Sequence, residues 1–347
     1  MSTPTLILRD DLFLEHDPGP GHPENAARLA AVYRDLDAAP PADAVMRAPR
    51  PVGAEALERV HSAAYLATLR RSAGKATRFD ADTATSARSV EAALAASGAA
   101  VEGVEAVVRG EAHGAFALVR PPGHHAETGR AMGFCLLNNV AVAAAHAVAA
   151  LGCKRVLILD PDVHHGNGTQ HAFEERADVL YVSSHRFPYY PGTGAVDEVG
   201  RGPGAGYTVN LPVPAGTADI DLAHLYWMVV DPVVRAWQPD LILVSAGFDT
   251  FVRDPLGGLA VTERGFRALF ALFRSWADAF CPGRLVCVLE GGYDPAGVTL
   301  GVRAALEAME PLAPSPPTLA SPVSTAAREV QARATAALAP FWAALRA

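Results

Sequence analysis

Short, mostly apolar runs alternate along this chain with longer alanine-rich stretches of helical period. The runs Thr5–Leu8, Gly114–Leu118, Val156–Leu159, Val179–Ser183, Leu241–Ser245 and Leu285–Leu289 lack a polar face, the pattern of strands covered on both sides. Between and around them the spacing predicts helices over Glu24–Leu36, Ala54–Ser72, Ser89–Arg109, Leu137–Leu151, Ile220–Trp237 and Thr262–Ala279. Such alternation predicts βαβ units. The fold class is therefore α/β, with a central, mostly parallel sheet flanked by helices on both faces. Linker-like composition occurs at Ala48–Pro51 and Pro311–Pro322, and the second leads to a last helix, Thr325–Leu338, expected to pack against the body. No repeat is visible, and residues 1–347 read as one domain.

Composition narrows the picture. A formal net charge of -8 leaves no basic footprint for nucleic acid. No apolar run is long enough to span a bilayer, and Met1-Ser2-Thr3-Pro4 lacks the basic-then-apolar order of a secretory signal. Cys135, Cys153, Cys281 and Cys287 sit in or beside apolar segments without a Cys-x-x-Cys pair, so they read as reduced packing residues of a cytoplasmic protein.

Chemistry gathers where strands end. The stretch Asp160-Pro161-Asp162-Val163-His164-His165-Gly166-Asn167-Gly168-Thr169 follows the Val156–Leu159 run, at the end of the sheet where ligands of open α/β folds bind. Asp162 and His164, two apart in extended chain, point to one side and can begin a site for zinc or a similar divalent ion. Ser245-Ala246-Gly247-Phe248-Asp249 offers Asp249 as a third ligand, leaving a position open for water; alone, Asp249 reads equally as a helix cap. Arg120-Pro121-Pro122-Gly123-His124-His125 brings two adjacent imidazoles able to move protons. Asp160 and Asn167 are available to fix their tautomers, the Asp raising an imidazole pKa more than the Asn. Tyr293, after Glu290-Gly291-Gly292, can donate to an oxyanion, and by itself reads as a packing residue.

Taken in order, these segments resemble the zinc-dependent histone deacetylases of the arginase/deacetylase fold, from about His16 to about Gly297. Gly133-Phe134-Cys135 and Pro191-Gly192-Thr193-Gly194 extend the match, and His22-Pro23-Glu24 with Asn167 is similar to the class II branch. The resemblance implies one zinc on Asp162, His164 and Asp249. It implies His125 as general base and then acid, His124 with Asp160 as an electrostatic partner, and Tyr293 polarising the scissile carbonyl. It also implies a structural potassium near Asp160, Asp162, His164, Ser183 and Ser184. Phe134 and Tyr190, beside Gly133, would sandwich the acyl-lysine stem, and Arg28 would lie near an internal acetate exit. Two positions depart from the family pattern: Pro161 replaces a usual aromatic residue, and Tyr190 a frequent Phe.

The implied activity is hydrolysis of acetyl or other short acyl groups from N-acyl-lysine side chains. An acetylpolyamine amidohydrolase is the alternative. That branch carries a Glu at the channel mouth where this chain has Leu256, and often a long insertion not visible between Ala84 and Val119. A dinuclear manganese hydrolase such as the arginases would need further carboxylates in these loops. A non-catalytic acyl-lysine binder is the remaining class. The expected partners are therefore an acetylated lysine in protein or peptide, or a small acetylated amine, with no nucleic acid and no membrane.

Overall fold

The computed structural model describes residues 3–310 and 317–346. Its centre is an all-parallel sheet of eight strands: β1 (Thr5–Leu8), β2 (Ala44–Arg47), β5 (Gly114–Ala117), β6 (Val156–Asp160), β7 (Val179–Arg186), β8 (Thr208–Val213), β9 (Leu241–Ala246) and β10 (Leu285–Leu289). Two short strands, β3 (Thr77–Arg78) and β4 (Ala84–Thr85), form a separate antiparallel hairpin. The order across the sheet is β2-β1-β5-β10-β9-β6-β7-β8. The chain leaves β5, crosses two strand positions to β6, and later fills the gap with β9 and β10. Four loops far apart in sequence thereby emerge side by side at one end of the sheet.

Every residue of β5, β6, β9 and β10 is buried, as expected for strands covered by helices on both faces. The helix Glu263–Phe280 shows how the cover is made. Phe266, Leu269, Phe270, Phe273 and Trp276 fall on one stripe and are buried, and the Thr262 side chain caps the helix by accepting from the Arg264 N–H. On the other side, Ser89–Val108 packs against Asn139–Leu151, both alanine-rich, which lets two helix backbones approach closely.

The structure departs from the sequence expectations in four places. The stretch Ala54–Ser72 is not one helix but two, Ala54–Glu58 and Ala63–Arg71. Between them His61 bonds the Glu127 carbonyl through Nδ1 at 3.0 Å, and Ser62 N donates to the Thr128 carbonyl at 2.8 Å. Those tertiary bonds outweigh helical continuity, and Ser62 caps the second piece. The stretch Ile220–Trp237 is helical throughout but passes through a π-helical turn at Tyr226–Val230. The helix Pro295–Met309 was not expected because Gly297, Thr299 and Gly301 weaken its pattern, although Asp294 before Pro295 is a start signal and does cap it. Edge strands β2 and β8 were missed too; Pro212 in β8 masks the strand pattern, and an edge is where a strand tolerates proline.

The last helix, Thr325–Leu338, forms as expected, burying Ala327, Val330, Ala334 and Leu338. Of the Pro-rich segment leading to it, residues 311–316 lie outside the described residues. All four cysteines are buried and unpaired. Among the described residues, no helix is long and apolar enough to cross a membrane.

Candidate active site

Four neighbouring strands deliver the site. The loops after β5, β10, β9 and β6 carry His124 and His125, Glu290 to Tyr293, Asp249, and Asp162 with His164. One ligand atom from each of Asp162, His164 and Asp249 lies within 4.8 Å of the others, and all three residues are buried. His164 Nδ1 is 3.2 Å from Asp162 Oδ1 and 3.1 Å from Asp249 Oδ2. Asp249 caps no helix; its Oδ1 accepts the Val163 N–H at 2.8 Å, which orients Oδ2 inward. Gly291 N donates to Asp162 Oδ2 at 2.9 Å. A Cβ at Gly291 would fall 2.2 Å from Asp249 Oδ2, so only glycine lets this loop reach the carboxylates.

The electrostatics of this trio call for a cation. Burial, and then the neighbouring Asp162 carboxylate, push Asp249 up to about 7. Burial opposes a charge on His164, yet its bonds to Asp162 and Asp249 lift it to about 9. Two buried carboxylates thus face one imidazole nitrogen, and positive charge is favoured between them. Two oxygens and one nitrogen also make a donor set that suits zinc with a position left open. The residues fit that metal.

Behind the trio the two histidines differ. His124 Nδ1 lies 3.1 Å from Asp160 Oδ2, and His125 Nδ1 lies 2.7 Å from Asn167 Oδ1. Burial works against a charged His124, but the Asp160 and Asp162 carboxylates outweigh it and hold its pKa well above the ordinary imidazole value. Burial, then the charges on His124 and His164, drive His125 well below it. The two imidazoles are therefore pushed in opposite directions, His124 toward the charged form and His125 toward the neutral one.

A cavity of about 210 Å³ leads to this centre, lined by Asp82, His125, Gly133, Phe134, His164, Tyr189, Tyr190, Leu256 and Tyr293. Phe134 and Tyr293 meet edge to face at 5.9 Å, and Tyr190 meets His125 at 5.1 Å. Burial raises the Tyr293 phenol, which keeps its proton and remains a donor. Leu256 sits at the mouth, where its carbonyl accepts from the Tyr189 hydroxyl at 2.9 Å. Arg28 is buried beneath, donating Nε to the Gly292 carbonyl at 2.7 Å and a terminal N–H to the Glu290 carbonyl, with Glu24 at 3.1 Å. Ser183 pairs in register with Asp160 across β6 and β7, and Ser183 and Ser184 are both buried. Pro161 lies one residue past the paired end of β6, where the sheet asks for no N–H.

The structure adds residues that sequence reading passed over. Glu290 accepts from Gly123 N at 2.6 Å, His124 N at 3.1 Å and Ser245 Oγ at 3.2 Å; burial raises it to about 7. Asp254 accepts the Tyr293 N–H at 2.5 Å and the Asp294 N–H at 3.1 Å, holding the tyrosine's loop. Tyr189 stacks on His164 at 5.5 Å. Their signal was position alone: Asp254 shares the loop after β9 with Asp249, Glu290 opens the loop of Tyr293, and Tyr189 precedes the channel residue Tyr190.

Comparison with known proteins bears on this site. A family model described as "Histone deacetylase domain" matches residues 22–309. A protein of Archaeoglobus fulgidus named "Probable deacetylase" is 38% identical over 309 residues, 87% of this chain and 86% of that protein. "Histone deacetylase 15" of Arabidopsis thaliana is 37% identical over 311 residues, 88% of this chain and 55% of that protein. This chain spans about half the length of the plant relatives it matches. A structure titled "Crystal Structure of HDA15 HD domain" superposes with a TM-score of 0.90 at 36% identity, covering 98% of each chain.

Proposed function

The chain belongs to the histone deacetylase family, and from that premise we propose that it is a zinc-dependent amidohydrolase acting on N-acyl-lysine side chains. One observation carries the reading: the donor atoms of Asp162, His164 and Asp249 converge within 4.8 Å at the base of a channel that also holds His125 and Tyr293. Zinc held by Asp162, His164 and Asp249 would supply Lewis-acid polarisation of the acyl carbonyl and would acidify the attacking water. Asp160, Asp162, His164, Ser183 and Ser184, all buried, would hold the companion potassium of this proposal.

The chain's own groups do the rest. Neutral His125, anchored at Nδ1, accepts the proton of the attacking water at Nε2 and later delivers it to the departing amine. Cationic His124, held by Asp160, offsets the negative charge that develops. Tyr293 donates its phenol proton as a hydrogen bond to the developing oxyanion. Phe134 and Tyr190, with Gly133, wall the acyl-lysine stem and exclude water; the Tyr190 hydroxyl adds a polar group to that wall. Arg28 serves the exit of the released acid from beneath the site. We take residues 1–347 as one deacetylase domain working in the cytoplasm.

A second reading, a small acetylated amine as substrate, keeps one specific observation. Asp82 lines the channel and offers a carboxylate to a distant ammonium where Leu256 offers none. The deciding experiment compares kcat/KM of zinc-loaded protein on an acetyl-lysine peptide, acetylputrescine and acetylspermidine. The acyl-lysine reading predicts a clear preference for the peptide. Tyr293→Phe is expected to lower turnover by about 10²–10³, and an unchanged rate removes Tyr293 from the mechanism.

A further inference from the structure

The neutral base of this site depends on an amide that does not dictate its own orientation. Asn167 can present either its oxygen or its NH₂ to His125 Nδ1. With oxygen forward, His125 carries its proton on Nδ1, and Nε2 is bare and able to accept. With NH₂ forward, Nδ1 becomes the acceptor, Nε2 holds the proton, and no base faces the channel.

A carboxylate behind the amide makes the choice. Asn167 Nδ2 donates to Glu127 Oε1 at 2.5 Å and more weakly to the His125 carbonyl at 3.3 Å. An ionised carboxylate only accepts, so it requires the NH₂ end and turns the oxygen to His125. Glu127 is in turn gripped by His171 Nδ1, 2.9 Å from Oε1 and 3.0 Å from Oε2. The two side chains run from near burial to solvent, Glu127 being 15% and His171 39% exposed. Burial favours a neutral Glu127, but the bonds from His171 and Asn167 hold it ionised. The chain His171, Glu127, Asn167, His125 thus links the protein surface to the base, with two residues from the loop after β5 and two from the short helix Asn167–Phe173.

We infer that Glu127, steadied by His171, is a positioning residue: through the Asn167 amide it fixes the Nδ1–H tautomer of His125. The catalytic part of this inference rests on the hydrolase reading above; the tautomer part does not.

The test uses the full chain labelled with ¹⁵N-histidine, in wild type, Glu127→Ala, Asn167→Ala and the double variant. Imidazole ¹⁵N shifts of His125, assigned with a His125→Ala sample, distinguish N–H from bare nitrogen. Wild type is expected to show a protonated Nδ1, and Glu127→Ala a mixture of tautomers. On an acetyl-lysine peptide, Glu127→Ala is expected to lose about 10–100-fold in kcat with KM within about twofold, and to cost almost nothing further in the Asn167→Ala background. Should Glu127→Ala not fold, the isosteric Glu127→Gln carries the same test, because its amide presents either end and no longer dictates the orientation of Asn167. A folded variant with an unchanged His125 tautomer overturns the inference, as does a loss that multiplies with that of Asn167→Ala. An inactive wild type whose His125 tautomer still depends on Glu127 removes the hydrolase reading and leaves the positioning role standing.

Discussion

Acid should loosen this protein at a place that sequence reading mistook for helix interior. His61 is buried, donates Nδ1–H to the Glu127 carbonyl at 3.0 Å and accepts the Asn138 N–H on Nε2 at 2.9 Å. Both nitrogens are committed, and a proton on Nε2 would meet an N–H. Burial accordingly lowers the pKa from 6.5 to about 4. The folded value lies below the unfolded one, so the unfolded chain takes up a proton first. Stability from His61 is complete above pH 6.5, falls as pH drops, and levels off near 4. The gap of about 2.5 units corresponds to roughly 3 kcal/mol in full, of which about 2 kcal/mol is lost between pH 7 and pH 5. The perturbation is His61→Gln, which does not titrate but can still accept from Asn138 and donate to Glu127. Urea unfolding of both proteins at pH 7 and pH 5 isolates the histidine, since the other groups cancel in the comparison. The wild type should lose about 2 kcal/mol more than the variant on acidification. Parallel losses would refute the reasoning.

Three further outcomes follow. Asp249→Ala should reduce bound zinc from one equivalent per chain to a small fraction, measured by elemental analysis after dialysis, because Asp162 and His164 alone make an incomplete donor set. Gly133→Ala should lower kcat sharply without greatly changing the melting temperature: at φ +57° a Cβ would sit 2.5 Å from His125 Cδ2 and displace the base. Leu256→Glu should raise kcat/KM on acetylspermidine relative to the acetyl-lysine peptide by about tenfold, worth about 1.4 kcal/mol, by placing a second carboxylate with Asp82 at the channel; an unchanged ratio would take this position out of substrate selection.

Much of the fold and the site could be read from the chain because the signals were local. The six strands read from the chain are buried along nearly their whole length, and such apolar runs carry an unmistakable composition; Thr5–Leu8 and Leu285–Leu289 form with the limits expected. Asp162 and His164 were marked by their place just past the end of β6, but residues 162–164 bend rather than extend, so their convergence with Asp249 is a product of the folded loop and not of strand alternation. Edge strands escaped because they are half-buried or carry proline, and the break at His61 escaped because its cause lies more than sixty residues away, at Glu127.

The sequence by itself determined which chemical groups are present and the strand ends that carry them. Tertiary structure alone decided their company. The order β5-β10-β9-β6 placed Glu290 under the paired histidines and Asp249 opposite His164. It also turned one face of an ambiguous amide toward Glu127. Burial, charge and hydrogen bonding between distant segments push His124 toward the charged form and His125 toward the neutral one, and no local pattern records a distance between loops that only the folded sheet brings together.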